Sequence, residues 1–232
     1  MDGIKAPSPL RPVSPRARAA VACFLVTILL LVASTWHDFA LLDLAKRAAI
    51  GRATEAEGAA LDRAEVWIAL GQVLALLGTA VAFCMWLHRT YANLVSAGVS
   101  GLKYTARRSV EAFFIPFVNL VRPYRVVDEV WLASRGLAAG SALLTSDRDR
   151  ESDWAVGVWW VSMLLGNGYA RYTSVLLDTA KTPADFERYA GQSIVADGVT
   201  LIAAAAAILL VRSISGWQEG ARAADSRQLP AP

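Results

Sequence analysis

The amino-acid sequence predicts an all-α protein that crosses a membrane several times, and two observations support this prediction. First, 55% of the residues are hydrophobic, a high fraction for a soluble domain. Second, these residues are concentrated in four blocks, at 19–36, 66–87, 154–177 and 189–211. A bilayer core of about 30 Å requires about 20 apolar helical residues, and in lipid a helix satisfies its own backbone groups. We therefore expect a polytopic bundle of four transmembrane helices.

The first apolar block, at 19–36, has two interpretations. Basic residues precede it and small residues lie near its end at Ala33 and Ser34, as in a cleaved signal peptide. Its apolar run is longer than the ~7–15 residues of a signal peptide, and the leader before it is rich in proline. We expect a retained first helix after a disordered leader at 1–18, with cleavage as the alternative.

The second block, at 66–87, contains no charged residue, whereas the third contains Arg171 and the fourth contains Asp197. A charge near the middle of the bilayer costs ~2.5–3.5 kcal/mol. The helical rise places the two residues ~9 and ~12 Å from the outer ends of their adjacent helices, the end of helix three and the start of helix four. We therefore predict an ion pair, with Asn167 and Gln192 as polar neighbours. The pair either fixes helix register or belongs to a solute or proton site, unless Arg171 extends to the headgroups.

Lysine and arginine are distributed unevenly along the chain. Of the 23 basic residues, 16 lie in the leader, in the segment between helices two and three, and in the tail. The positive-inside rule therefore predicts that this segment and both termini are cytoplasmic. The bias towards arginine and alanine is typical of a GC-rich bacterial genome, so we expect the bacterial inner membrane. Anionic lipid headgroups are the expected partners of the basic residues, and no nucleic acid is expected because no recognition motif accompanies them.

Residue types that carry common chemistries are sparse. The two cysteines, Cys23 and Cys84, fall in predicted helices, where they are expected to be small buried hydrophobic residues. The two histidines, His37 and His88, fall at opposite ends of the predicted bilayer and cannot bind one metal or haem together. The acidic run at 146–153 lacks the glycine of a calcium loop, and no phosphate-binding loop or nucleophile motif occurs. We expect no cofactor and no metal, and an enzyme is the least favoured class.

The segment FFIPFVNLVRPYRVVDEVW, at 113–131, connects helices two and three. Pro116 interrupts its apolar run, and Pro123 suits the first turn of a new helix. After Pro123 the apolar and charged residues fall on opposite faces, which predicts an amphipathic segment at 106–135 on the cytoplasmic interface. The apolar run before it is either interfacial or re-entrant. We expect this run to dock against the bundle, with Asn119 bonded to backbone groups that Pro116 leaves free.

Three stretches resemble one uncharacterised bacterial membrane family, catalogued as domain of unknown function 4328. They are WLHRTYANL at 86–94, the segment at 113–131, and WWVSMLLGN at 159–167. The resemblance covers roughly 66–211, and its most specific part is the Pro-Phe-x-Asn-Leu core at 116–120. It implies a four-helix membrane domain and assigns no activity. The residues that match the family pattern are Arg89, Tyr91, Asn93, Pro116, Asn119, Pro123 and Trp131.

The sequence divides into the leader at 1–18, a membrane domain at 19–215 and a polar cytoplasmic tail at 216–232. The leading prediction is a non-enzymatic interaction, assembly or sensory component that contacts a membrane or cytoplasmic protein. The alternative is a transporter or channel subunit for a small solute or ion, with the intramembrane polar residues as its site. Aromatic and basic residues in the cytoplasmic segment favour the first class, and isolated charges within the bilayer favour the second. The sequence leaves the oligomeric state open.

Overall fold

The computed structural model describes residues 9–140 and 154–228, and every regular element within them is helical. The all-α prediction is therefore confirmed for these residues. The elements in chain order are α1 (Ser14–Ala49), α2 (Glu55–Ser96), α3 (Ala106–Glu111), a 3₁₀ turn (Val118–Leu120), α4 (Arg122–Ala138), α5 (Trp154–Thr179) and α6 (Pro183–Gln228).

Three helices in the described part of the chain, α1, α2 and α6, are long and apolar enough to cross a membrane. Many of their large apolar side chains are exposed, among them Leu29 (68%), Trp67 (72%) and Leu76 (66%). A helix of a soluble protein directs such residues towards a core, whereas lipid removes them from water favourably. These features are those of a membrane protein.

The chain forms two compact units, and each unit combines distant parts of the sequence. Unit 1 comprises the described residues within 1–22, 80–157 and 207–232. Unit 2 comprises residues 23–79 and 158–206. Each unit has its own set of buried side chains.

Unit 1 packs around large side chains of α2 and around one face of α4. Trp86, Leu87 and Leu94 are fully buried, and the indole N–H of Trp86 donates to Ser215 Oγ at 2.9 Å. The hydrogen bond allows the indole to be buried without losing its polar partner. The inward face of α4 includes Val126, Val127, Val130 and Ala133.

The apolar run before α4 does not dock in the expected way. Phe114 is 70% exposed and Phe117 is 86% exposed, and Phe117 has a φ of 62°, which is uncommon for a bulky residue. The side chain of Asn119 is exposed, while its backbone N–H donates to Ile115 O at 2.9 Å. The expectation that Asn119 anchors this run is wrong, because the turn after Pro116 closes through its own backbone hydrogen bonds.

Both ends of the described chain are more regular than the sequence indicated. The leader was expected to be disordered, but α1 already begins at Ser14. The Oε1 atom of Glu219 accepts the backbone N–H groups of Val13 and Ser14 at 2.7 and 2.8 Å. A carboxylate suits this place because the first N–H groups of a helix lack partners. The predicted tail is helical up to Gln228, and the acidic run at 146–153 lies outside the described residues.

Unit 2 contains close contacts between helices at small residues. A Cβ atom added at Gly166 in α5 would lie 2.9 Å from Thr200 Oγ1 in α6. A Cβ atom added at Gly71 in α2 would lie 3.0 Å from a methyl group of Leu30 in α1. Glycine at such positions allows membrane helices to approach closely.

Candidate functional site

Five ionisable side chains come together in unit 2, and we call them the acid–imidazole cluster: His37, Asp38, Glu65, Tyr189 and Asp197. The first two directly follow the apolar block of α1, Glu65 directly precedes that of α2, and the last two belong to α6. Four of the residues are at most 9% exposed, while the side chain of Glu65 is 35% exposed. Buried charges need a partner or must be neutralised.

The His37 ring contacts one carbonyl oxygen and one carboxyl group. Its Nε2 atom lies 3.1 Å from Leu61 O, and a carbonyl oxygen only accepts, so Nε2 carries the hydrogen. Its Nδ1 atom lies 3.1 Å from Glu65 Oε2, although the direction of this contact is not that of a hydrogen bond. The Nδ1 atom therefore lies close to a carboxyl group but makes no hydrogen bond with it.

Asp38 is the most deeply buried member of the cluster, with 1% of its surface exposed. Its carboxyl group bonds with the side chain of Ser193, but its Oδ2 atom has no hydrogen-bond partner among the described residues. His37 Nδ1 lies 4.0 Å from the other oxygen, and the remaining charged groups that face Asp38 are the acidic residues Glu65 and Asp197. A buried oxygen in these surroundings needs a proton or a cation as its partner.

Asp197 lies within the apolar block of α6. Its Oδ2 atom accepts a hydrogen bond from Thr35 Oγ1 at 3.1 Å, and Ser34 bonds with the same carboxyl group. Both partners are neutral hydroxyl groups, so they orient the carboxyl group without balancing its charge. Tyr189, in the same helix, hydrogen-bonds with the side chain of Ser193.

The composition of the cluster indicates what it can bind. The cluster holds three carboxyl groups and one imidazole, and no lysine or arginine forms an ion pair with these carboxyl groups within residues 9–140 and 154–228. In the same residues, no group of three His, Cys, Asp or Glu side chains has the arrangement of a metal site. Both cysteines, Cys23 and Cys84, are free. Imidazole and carboxyl groups exchange protons, so the cluster is suited to reversible proton binding.

Of the four polar residues that the sequence grouped within the bilayer, only Asp197 belongs to the cluster. Arg171 is exposed on α5, and among the described residues no ion pair joins it to Asp197, which bonds with hydroxyl groups of α1 instead. Asn167 is exposed and donates to Met163 O at 2.9 Å in its own helix. Gln192 is half-buried. The predicted ion pair is absent because similar depths along two helices do not place side chains on facing sides.

The sequence does not single out four members of the cluster as site residues: His37, Asp38, Glu65 and Tyr189. His37, Asp38 and Glu65 lie at the ends of apolar blocks, where polar residues are common, so hydropathy gives no reason to group them. The feature of the sequence that could have indicated them is their position. An adjacent histidine and aspartate directly follow one apolar block, and a glutamate directly precedes the next. A short connection between two helices brings such ends together.

Two residues of the family pattern, Tyr91 and Asn93, lie in a buried hydrogen-bonded network of unit 1. The Tyr91 hydroxyl donates to Glu129 Oε1 and accepts the backbone N–H of Tyr104 at 2.9 Å. Asn93 Nδ2 donates to Gln218 Oε1 at 3.2 Å. All of these side chains except Tyr104 are at most 7% exposed. The network connects α2 with α4 and α6, so these two pattern residues stabilise the fold.

The other pattern residues have less uniform surroundings. Pro123 is buried in the first turn of α4, as its position after the apolar run indicated. The Trp131 ring packs edge-on against Trp217, with centroids 4.7 Å apart. Arg89 is half-buried. The exposed members are Pro116 and Asn119.

Apolar helices able to cross a bilayer, together with an ionisable cluster among them, define an α-helical membrane protein. More specifically, the chain belongs to the family described as Domain of unknown function (DUF4328), whose model matches residues 51–216. The resemblance carried by the motifs is therefore confirmed. No curated protein and no solved structure matches the chain. The matched part includes Glu65 and Asp197, whereas His37 and Asp38 precede it.

Proposed function

We propose that four helices, α1, α2, α5 and α6, cross the inner membrane of a bacterium, with both termini in the cytoplasm. The length of α5 supports this number, because its 26 residues extend about 39 Å at 1.5 Å per residue. This length exceeds a bilayer core of ~30 Å. Its side chains Val161, Leu165 and Val175 are exposed, as lipid-facing side chains would be. The uneven distribution of lysine and arginine supports the orientation.

For the function, we propose a non-enzymatic proton sensor, one of the roles that the sequence favours. The supporting observation is Asp38 Oδ2, a buried carboxyl oxygen without a hydrogen-bond partner in the described residues. The titratable groups that face Asp38 are His37, Glu65, Tyr189 and Asp197. Proton uptake neutralises one carboxyl group, and proton loss leaves like charges close together. Such a change alters how helices pack, which is how buried titratable groups act as switches.

The graded exposure of the cluster supports a route for the proton. The side chain of Glu65 is 35% exposed, whereas those of His37 and Asp38 are 6% and 2% exposed. The Nδ1 atom of His37 lies 3.1 Å from Glu65 and 4.0 Å from Asp38. This atom is therefore the group of the ring through which a proton from Glu65 would reach Asp38, once the 4.0 Å separation shortens to hydrogen-bond length. Glu65 is the entrance of this route and Asp38 is its buried end.

Infrared difference spectroscopy of the full chain in lipid bilayers tests the proposal, because protonated and ionised carboxyl groups absorb at different frequencies. A pH step should change the protonated-carboxyl band of the wild type, and Asp38→Asn should remove part of that change. Asp62→Asn is the matched control, since Asp62 is exposed on the same helix as Glu65. The proposal is contradicted if Asp38→Asn, folded as judged by circular dichroism, gives the same protonated-carboxyl signal as the wild type.

Proton transport is a second candidate, and the graded exposure from Glu65 to Asp38 favours it. A transporter moves protons across the bilayer, whereas a sensor only binds them. Proteoliposomes that enclose a pH-sensitive dye separate the two functions. Proton flux that is lost in Asp38→Asn supports transport, and an infrared signal without flux supports sensing. A sensor also needs a partner, and the membrane or cytoplasmic protein expected from the sequence stays a prediction.

A further inference from the structure

A groove of about 360 Å³ in unit 1 has both cationic and apolar walls. Residues near the start of α1, near the end of the apolar block of α2, and in α3 line it. Its lining includes Arg16, Met85, His88, Arg107, Val110 and Glu111.

Arg16 and Arg107 form the cationic wall of the groove, and an acidic residue balances only part of their positive charge. Arg107 Nε binds Glu111 Oε1 at 2.6 Å, so one arginine has an acidic partner. Arg16 forms no ion pair in the described part of the chain, and neither does Arg89, which follows His88 in α2. The Arg89 guanidinium is repelled by those of Arg16 and Arg11. An anion in the groove would turn part of this repulsion into attraction.

The apolar wall lies where the apolar block of α2 ends. Met85 is 52% exposed and precedes Leu87, the last residue of that block, by two positions. The rings of Phe83 and Phe113 lie 5.9 Å apart, so the segment after α3 approaches the same turn of α2. Phe114 is 70% exposed beside this contact. Exposed apolar residues next to arginines are typical of a membrane interface, where guanidinium groups reach the headgroups.

We propose that the groove binds one anionic phospholipid, with its phosphate held by Arg16 and Arg107 and an acyl chain along Met85 and Val110. Guanidinium groups bind phosphate oxygens through charge-assisted hydrogen bonds. A zwitterionic lipid offers the same phosphate but adds a cation that the arginines repel. Inorganic phosphate lacks the chain that covers the apolar wall. This site is independent of the proton site proposed above.

Native mass spectrometry of the full chain in detergent tests the site, with separate titrations of dioleoyl phosphatidylglycerol, dioleoyl phosphatidylcholine and inorganic phosphate. The wild type should retain one phosphatidylglycerol molecule in preference to the other two. Arg16→Gln and Arg107→Gln should each weaken its apparent affinity about fivefold, the contribution of one basic residue near an anionic lipid. Arg18→Gln is the matched control, because Arg18 is exposed on the same helix and does not line the groove. This variant should bind as the wild type does.

Three results overturn the proposal. One is equal retention of the two lipids, and another is binding of inorganic phosphate as strong as that of phosphatidylglycerol. The third is an equal loss of affinity in Arg18→Gln and Arg16→Gln, since net charge alone would then explain the effect. The side chain of Arg107 is 87% exposed, so Arg107→Gln removes the charge with little effect on folding and keeps the lipid result interpretable.

Discussion

Removing the hydroxyl group of Tyr91 should destabilise unit 1 by an amount that its contacts predict. Tyr91 is completely buried, and its hydroxyl donates to Glu129 and accepts the backbone N–H of Tyr104. Tyr91→Phe preserves the ring and its packing but removes both bonds. In this variant the Glu129 carboxyl group keeps one hydrogen bond, from the backbone N–H of Lys103 at 3.0 Å. The Tyr104 N–H loses its side-chain acceptor.

The expected loss of stability follows from these two bonds. A hydrogen bond to a charged group contributes about 1.5–3 kcal/mol, and an orphaned N–H that is partly buried costs about 1 kcal/mol. Tyr91→Phe should therefore lower the free energy of unfolding by about 2.5–4 kcal/mol. For a chain of this size the change corresponds to roughly 5–15 °C in the midpoint of thermal unfolding.

Thermal unfolding in detergent, followed by tryptophan fluorescence, measures the effect. Tyr124→Phe is the matched control, because Tyr124 is a half-buried tyrosine of unit 1 whose hydroxyl makes no hydrogen bond within the described residues. Its substitution should change stability by less than about 0.5 kcal/mol. Equal midpoints for Tyr91→Phe and Tyr124→Phe would refute the reasoning, since the network would then not stabilise the fold.

Two further predictions concern packing in unit 2 and the topology. Gly166→Ala should destabilise the protein by about 1–3 kcal/mol, because the added methyl group meets Thr200 in the neighbouring helix. Gly168→Ala, where the new methyl group meets no atom within 4 Å, should be neutral or stabilising by up to about 1 kcal/mol. For topology, an impermeant thiol reagent on intact cells should label Ala56→Cys and spare Ser226→Cys. The reverse pattern would invert the proposed orientation.

The helices could be predicted because lipid imposes a simple rule on sequence. A segment without water must satisfy its own backbone groups and present apolar side chains, so the blocks at 19–36, 66–87 and 189–211 directly indicate long helices. The amphipathic pattern after Pro123 similarly anticipated α4, whose apolar face is buried. In both cases a single physical effect, the removal of apolar surface from water, determines the element.

The contacts of polar residues could not be predicted, because they depend on how each helix is rotated about its axis. The depths of Arg171 and Asp197 were compatible with an ion pair, yet only Asp197 faces other helices. The bonds from Val13 and Ser14 to Glu219 join residues more than 200 positions apart, and no local pattern indicates them. The prediction for Asn119 is wrong for a related reason. The backbone groups near Pro116 bond with one another in a turn, so the Asn119 side chain has none of them to bind.

The buried network around Tyr91 and the acid–imidazole cluster differ in whether their hydrogen bonds are complete. This difference distinguishes residues that stabilise the fold from candidate ligand-binding residues. In unit 1, Tyr91, Asn93 and Gln218 have partners within the fold, and a satisfied network needs nothing from outside. Within residues 9–140 and 154–228, the buried side-chain atoms without a hydrogen-bond partner are His37 Nδ1 and Asp38 Oδ2. Both belong to the acid–imidazole cluster. If the cluster served only to stabilise the fold, replacing Asp38 with an apolar residue of similar size would leave the protein equally or more stable. The unfilled hydrogen-bonding positions of His37 and Asp38 therefore favour a role in reversible binding.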